Sequence, residues 1–108
     1  MAEQTTTPET SQEEAPAPTL ERQYHLVLLN DDDHTYQYVI EMLGAVLGYQ
    51  PEKAFAIACV VDSEGRATVE TASHEQVTGH QRQIHGYGPD PRVRRCRGSM
   101  SAIVEPVK

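Results

Sequence analysis

The spacing of apolar positions predicts a strand and then a helix from about residue 24 onward. Residues 24–29 end in four consecutive aliphatic side chains, a run typical of a strand that is covered on both faces. In the next segment large side chains recur every three or four positions, at Tyr36, Val39, Ile40, Leu43, Val46 and Leu47. This spacing indicates a helix with one wide apolar face. We expect Asp33 or His34 to cap its start and Gly48 to end it.

A second helix is predicted by Pro51, because its missing amide hydrogen would be unpaired in a first helical turn anyway. The apolar face of this helix consists of small residues that allow close packing, namely Ala54, Ala58 and Val61. The polar run at residues 62–65 closes on Gly65 and is typical of a turn. Residues 66–71 then alternate as in a strand.

The last third of the chain predicts one more helix and one more strand. Ser73, followed three residues later by Gln76, is a capping-box pattern that starts a helix. The glycines and prolines of residues 86–91 cannot continue that helix, and residues 101–105 have the pattern of a short closing strand. The resulting order is β-α-α-β-α-β. It predicts an α+β sandwich with the helices on one face of a short antiparallel sheet.

Composition divides the chain into a tail and one domain. Residues 1–22 are rich in Glu, Thr, Gln and Pro, so we expect a disordered acidic tail before a single domain at residues 23–108. A net charge of −7 opposes general binding to nucleic acid. No stretch has the length of a membrane span, no secretory signal is evident, and two cysteines are too few for a disulfide framework. We therefore expect a cytoplasmic protein with reduced thiols.

The apolar run ends abruptly on four polar residues, Asn30, Asp31, Asp32 and Asp33. Side chains of this kind bond local backbone and favour turns and helix starts. A turn of this type places polar groups beside an apolar wall, which suits a small cation that carries an apolar neighbour. A plain helix-capping turn is the alternative, and consecutive carboxylates do not match the alternate ligand spacing of an EF-hand loop.

The segment from residue 24 to about residue 72 resembles the ClpS adaptors of the ATP-dependent Clp protease. The resemblance rests on Tyr24-His-Leu-Val-Leu-Leu-Asn30-Asp31-Asp32 and on Val61-x-x-x-Gly65-x-Ala67. It implies the β-α-α-β-α-β fold and a non-enzymatic, monomeric adaptor that uses no cofactor or metal. Such an adaptor binds a substrate protein by a bulky hydrophobic N-terminal residue. It then delivers that substrate to the N-terminal domain of a Clp-type AAA+ unfoldase for degradation.

The resemblance also implies a binding site. The side-chain oxygen of Asn30 would accept a hydrogen bond from the substrate's α-ammonium, and Asp31 would add negative charge beside it. His34 would bind the substrate's first peptide group. The first side chain of the substrate would enter a hydrophobic pocket lined by Tyr36 at the rim and by Val39, Ala58, Val61 and Met100.

Three positions of this site depart from the family pattern. Asp62 stands where the family has a histidine that contacts the α-ammonium, and its carboxylate could either bind that cation or cap the turn at residues 62–65. Tyr36 replaces a gating methionine, and Ala58 replaces a larger aliphatic residue. We therefore expect a pocket that is deeper than usual but narrower at its mouth.

The remaining chemistry lies in a basic loop and in a few possible metal ligands. The loop contains Arg92, Arg94, Arg95 and Arg97. It is either solvated or a contact for an acidic partner, so a second hypothesis is an interaction module that has lost N-terminal-residue binding. His80, His85 and Cys96 could bind zinc, but their spacing matches no familiar pattern. A metal-dependent hydrolase is disfavoured because no nucleophile–base pair is evident.

Overall fold

Three helices and three strands make up the fold in the computed structural model, which describes residues 22–108. In chain order they are β1 (Tyr24–Leu29), α1 (Tyr36–Leu47), α2 (Pro51–Glu64), β2 (Arg66–Ala72), α3 (His74–His85) and β3 (Ala102–Pro106). The predicted order and the α+β class are confirmed, and β3 begins and ends one residue later than expected. The tail predicted for residues 1–22 lies outside the described residues, apart from Arg22.

The sheet has β1 in its centre, with β2 and β3 antiparallel on the two sides. Leu28 of β1 lies opposite Ala67 of β2 and Ala102 of β3. Leu26, Val27 and Leu28 are all buried. Since neighbouring side chains of a strand point to opposite faces, both faces of β1 are covered, as its unbroken apolar run predicted.

The start of α1 differs from the prediction. The hydroxyl of Thr35 accepts the backbone N–H of Tyr38 at 3.1 Å, so Thr35 is the N-cap and the predicted caps, Asp33 and His34, are wrong. The turn before the helix explains the difference. The Asp31 carboxylate accepts the backbone N–H of Asp33 at 2.9 Å and closes that turn, so the helix begins only after it.

The buried face of α1 consists of Tyr38, Val39, Met42 and Leu43. The predicted face included Tyr36, but Tyr36 is 38% exposed whereas Tyr38 is 2% exposed, so this part of the prediction is wrong. The reason lies outside the helix. The Tyr38 hydroxyl donates to the carbonyl of Gly88 at 2.5 Å, which gives a buried phenol the partner that it needs.

The other helix boundaries agree with the local signals. Pro51 occupies the first position of α2. Gly48 and Gly65 follow α1 and α2 with φ of 73° and 86°, values in the left-handed region that glycine adopts without strain. The buried face of α2 is the predicted one, namely Ala54, Ala58 and Val61.

Hydrogen bonds and two buried side chains hold α3 in the fold although the helix has little apolar surface. The hydroxyl of Ser73 accepts the backbone N–H of Gln76 at 3.3 Å, which confirms the predicted N-cap. The side chain of Gln76 donates to Glu70 at 2.8 Å instead of returning to the cap. Val77 and Ile84 are fully buried. They join the single core cluster, which lies between the sheet and the three helices.

Candidate functional site

A cavity of about 220 Å³ opens where β1 ends, between the first turn of α1 and the last turns of α2. Its lining contains all nine residues predicted for the binding site, namely Asn30, Asp31, His34, Tyr36, Val39, Ala58, Val61, Asp62 and Met100. Asp32 and Thr35 also line it and were missed. Thr35 could have been found as the capping residue directly before the helix, and Asp32 as a member of the acidic run. The structure thus brings together residues that span seventy positions of the chain.

The floor of the cavity is apolar. Four side chains that are only 2–4% exposed form it, namely Val39, Ala58, Val61 and Met100. They come from α1, from α2 and from the segment before β3. Because Ala58 has a small side chain, it leaves space at the floor that a larger aliphatic residue would fill.

The mouth of the cavity is polar and is bridged by one hydrogen bond. The hydroxyl of Tyr36 donates to Oδ2 of Asp62 at 2.6 Å. This bond to a carboxylate raises the pKa of Tyr36 to about 12, because loss of the proton would break it and leave two negative charges together. The helix end beside Asp62 is closed by another contact, from the N–H of Gly65 to the carbonyl of Val61 at 2.9 Å. Asp62 therefore faces the cavity, and its geometry does not favour the turn-capping alternative.

The acidic turn, residues 30–35, supplies two acceptor groups at the edge of the cavity. The backbone N–H of Asn30 donates to the carbonyl of Gly65 at 3.0 Å, which holds the end of β1 beside the end of α2. Oδ1 of Asp31 accepts the N–H of Asp33 at 2.9 Å and Nδ1 of His34 at 2.7 Å. Within residues 22–108, no hydrogen bond uses Oδ2 of Asp31 or the side-chain amide of Asn30. Both groups can therefore accept a ligand's N–H.

His34 has a different set of partners from the one expected. Its two ring nitrogens lie 2.7 Å from the carboxylate of Asp31 and 2.8 Å from the carbonyl of Gly98. The side chain is 4% exposed, and its ring packs on Tyr38 with 4.5 Å between the ring centroids. Each ring nitrogen therefore already has a partner within hydrogen-bond distance. The expected bond from His34 to a substrate's peptide group finds no free nitrogen, and His34 instead holds Asp31 in place.

Part of the basic loop is paired within the protein. Arg92 lies 2.8 Å from the carboxylate of Glu41, and Arg95 lies 2.6 Å from the carboxylate of Asp33. In the described part of the chain, Arg94 and Arg97 are exposed and form no ion pair. The ion pairs do not contradict the solvated alternative, since all four arginines are exposed and the side chain of Arg95 is 69% exposed.

The possible zinc ligands lie apart and have other partners. His80 donates to Glu70 at 2.7 Å, His85 accepts the backbone N–H of Ala102 at 3.0 Å, and Cys96 accepts the backbone N–H of Asp90 at 3.1 Å. Across residues 22–108, no three His, Cys, Asp or Glu side chains are grouped as a metal site. The zinc alternative therefore has no geometric support.

Comparison with known proteins identifies the family. The family model described as "ATP-dependent Clp protease adaptor protein ClpS" matches residues 19–90, two thirds of the chain. The chain belongs to the ClpS family. Among curated relatives, the ATP-dependent Clp protease adapter protein ClpS of Nautilia profundicola is 42% identical over 52 residues, which are 48% of this chain and 54% of the relative. The protein of the same name from Streptomyces coelicolor is 31% identical over 62 residues, 57% of this chain and 65% of the relative.

Part of this ClpS-family chain is also similar to a much larger protein. The E3 ubiquitin-protein ligase ubr-1 of Caenorhabditis elegans is 39% identical over 57 residues, which are 53% of this chain but 3% of the ligase. The chain thus spans less than two thirds of the length of each of these curated relatives. The likeness to the ligase concerns one small segment of that protein.

A solved structure shares the fold. The structure of Agrobacterium tumefaciens ClpS2 bound to L-phenylalaninamide superposes with a TM-score of 0.69 at 19% identity, covering 80% of this chain and 98% of that one. This match agrees with the β-α-α-β-α-β arrangement of the ClpS-family chain. None of the three helices in the described part of the chain has the length and apolar character that a bilayer crossing requires.

Proposed function

We propose that this ClpS-family chain is a non-enzymatic cytoplasmic adaptor that binds proteins by a bulky hydrophobic N-terminal residue and delivers them to a Clp-type AAA+ unfoldase. One observation carries the proposal: a cavity of about 220 Å³ joins an apolar floor to a mouth with one amide and three carboxylates. A protein N-terminus with a large first side chain presents the complementary pair of groups, a cation next to an apolar group.

The α-ammonium is assigned to the polar mouth. A free α-amino group has a pKa near 7.7–8.0 and is mostly charged at neutral pH. Asn30 offers an amide oxygen to it, while Asp31 and Asp62 offer carboxylate oxygens, and all three line the same cavity. An acetylated N-terminus loses the charge and two of its three donors. The site therefore distinguishes free N-termini from blocked ones and from internal peptide segments.

The first side chain is assigned to the apolar floor. Burial of one large side chain contributes about 1.5–3 kcal/mol, and each hydrogen bond to the charged ammonium adds about 1.5–3 kcal/mol. Association entropy opposes both. The balance suits affinity of order micromolar, near −8 kcal/mol, which allows an adaptor to release its substrate. The Agrobacterium ClpS2 neighbour was solved with L-phenylalaninamide, a ligand with a free amine and an aromatic side chain.

Fluorescence anisotropy of labelled peptides tests the recognition step. The peptides begin with Phe, Tyr, Trp, Leu, Ile or Gly, and each is also prepared with an acetylated N-terminus. We expect micromolar binding of the large first residues, weak binding of Gly and loss of binding on acetylation. Equal affinity for the free and acetylated forms, or no binding of any peptide, would refute recognition of the N-terminal residue.

Delivery needs a separate test. A fluorescent substrate with an N-terminal Phe is incubated with ATP and a Clp-type protease, with and without the adaptor. We expect faster degradation with the adaptor and no acceleration for the same substrate beginning with Gly. Peptide binding without accelerated degradation would support recognition of the N-terminal residue but refute the delivery role.

A second candidate function is suggested by the two exposed arginines. Arg94 and Arg97 form no ion pair within residues 22–108 and create a local positive patch on an acidic chain. An interaction module that uses this patch would bind an acidic protein surface and would ignore N-terminal residues. The peptide experiment distinguishes the two functions, because only the adaptor discriminates between Phe and Gly at the first position.

A further inference from the structure

The segment 86–101, which connects α3 to β3, lies against the turn that carries the polar residues of the cavity. Connections of this length without regular structure usually have a function. Each of four consecutive residues of the turn, Asp32, Asp33, His34 and Thr35, is hydrogen-bonded to this segment. The segment also provides Met100 at the floor of the cavity. It therefore contacts the polar and the apolar part of the same site.

Asp90 is the most buried of the residues in this segment that contact the turn. Its side chain is 1% exposed, and its oxygens accept four hydrogen bonds. Oδ2 accepts the backbone N–H and the hydroxyl of Thr35, each at 2.8 Å. Oδ1 accepts the backbone N–H of Arg92 at 3.0 Å and its guanidinium at 3.2 Å. A carboxylate is costly to bury unless such bonds saturate it. Asp90 thereby fixes Thr35, a residue of the cavity wall.

Two further contacts hold the middle of the turn. Arg95 donates from Nε to the carboxylate of Asp33 and from Nη2 to the carbonyl of Asp32, both at 2.6 Å. The ring of His34 is hydrogen-bonded to the carbonyl of Gly98 at 2.8 Å and, on its other side, to Asp31 at 2.7 Å. A series of hydrogen bonds therefore connects the 86–101 segment through His34 to the carboxylate at the mouth of the cavity.

We propose that the 86–101 segment positions the ammonium-binding turn, with Asp90 and Arg95 as positioning residues that do not touch the substrate. Neither residue lines the cavity. Preorganised polar groups bind more tightly than mobile ones, since less ordering is required on binding. This inference rests on the proposed function and assigns the paired part of the basic loop a role inside the protein rather than with a partner.

The sign of the effect of Arg95 separates positioning from simple electrostatics. Arg95 places a positive charge near a site that binds a cation. If charge alone mattered, its removal would strengthen peptide binding, because a repulsion disappears. If Arg95 positions the turn, its removal weakens binding in spite of the lost repulsion.

The first experiment compares Arg95→Gln with Arg94→Gln in the full-length chain. Both variants remove one positive charge from the same segment, but Arg94 is exposed and has no ion pair in the described residues. We expect Arg95→Gln to weaken binding of a Phe-initiated peptide about threefold to fivefold, the upper part of the range of an exposed ion pair. Arg94→Gln should bind as wild type or slightly better. The same affinity in both variants would overturn the role of Arg95.

The second experiment compares Asp90→Asn with Val77→Ala. The asparagine keeps one acceptor oxygen but cannot accept all four bonds, and Val77→Ala destabilises the fold at a fully buried site of α3. Both are measured at a temperature at which circular dichroism reports folded protein. We expect about a tenfold loss of peptide affinity only in Asp90→Asn, as for the removal of an outer partner at metal sites. Equal affinity of the two variants would overturn the role of Asp90.

Nuclear magnetic resonance gives a readout that does not need a peptide. We expect the side-chain amide signals of Asn30 and the backbone amides of residues 31–35 to shift or broaden in Asp90→Asn and to stay unchanged in Val77→Ala. Unchanged signals in Asp90→Asn would overturn the positioning role even if the wild-type protein binds peptides. If the signals shift in Asp90→Asn but the wild-type protein binds no peptide, the proposed function is refuted and the positioning role is retained.

Discussion

Replacement of Asn30 by alanine removes a proposed ammonium acceptor without disturbing the fold. Asn30 is exposed, and its backbone N–H donates to the carbonyl of Gly65 at 3.0 Å. Alanine keeps that N–H. Within residues 22–108, no hydrogen bond uses the Asn30 side-chain amide. We therefore expect the free energy of unfolding to change by less than about 0.5 kcal/mol, as for most surface substitutions.

The expected loss of binding follows from one charged hydrogen bond. A bond between an ammonium and the amide oxygen of Asn30 contributes about 1.5–3 kcal/mol, which corresponds to a roughly 10- to 150-fold change in Kd. Asp31 and Asp62 stay in the cavity and still attract the cation. The affinity of Asn30→Ala should therefore fall to tens or hundreds of micromolar rather than vanish.

The assay is anisotropy of a labelled Phe-initiated peptide, with thermal unfolding of each variant measured in parallel. Gln37→Ala is the matched control, because Gln37 also carries an exposed side-chain amide, seven positions further along the chain, but does not line the cavity. We expect wild-type affinity for the control. Wild-type affinity of Asn30→Ala, or an equal loss of affinity in the control, would contradict the role of Asn30.

Three other predictions concern the mouth of the cavity, its floor and the buried carboxylate of Asp90. Asp62→Asn should weaken peptide binding. Tyr36→Phe should weaken binding in the wild type but not in the Asp62→Asn background, because the Tyr36 hydroxyl acts through the Asp62 carboxylate. Additive losses in the double variant would contradict this coupling. Ala58→Leu should weaken binding of Trp-initiated peptides about tenfold or more, because the larger side chain fills the floor of the cavity. Leu-initiated peptides should lose less affinity, and equal losses for both peptides would contradict this role of Ala58. Burial would raise the pKa of Asp90, but bonds from Thr35 and Arg92 lower it to about 2. Its contribution of about 2 kcal/mol is present above pH 4 and is lost as pH falls toward 2, so urea unfolding should lose this acid dependence in Asp90→Asn.

Local patterns in the sequence determined the elements of this protein. Pro51, Gly65 and the apolar run of β1 act through their own backbone or through neighbours a few residues away, and each was placed correctly. The grouping of Asn30 with Met100 in one cavity was available only through the resemblance to the ClpS family, since no local pattern links residues so far apart. The roles of these residues stay predictions until binding is measured.

Long-range partners decided what the patterns could not. The spacing of α1 allowed either Tyr36 or Tyr38 to face the core, and the carbonyl of Gly88, fifty positions away, selected Tyr38. His34 carries two nitrogens suited to a ligand, but Gly98 and Asp31 occupy both. The type of a side chain determines which hydrogen bonds it can make. Which of these bonds form depends on the groups that folding brings within about 3 Å of it. Such groups are identified only when the tertiary structure is known.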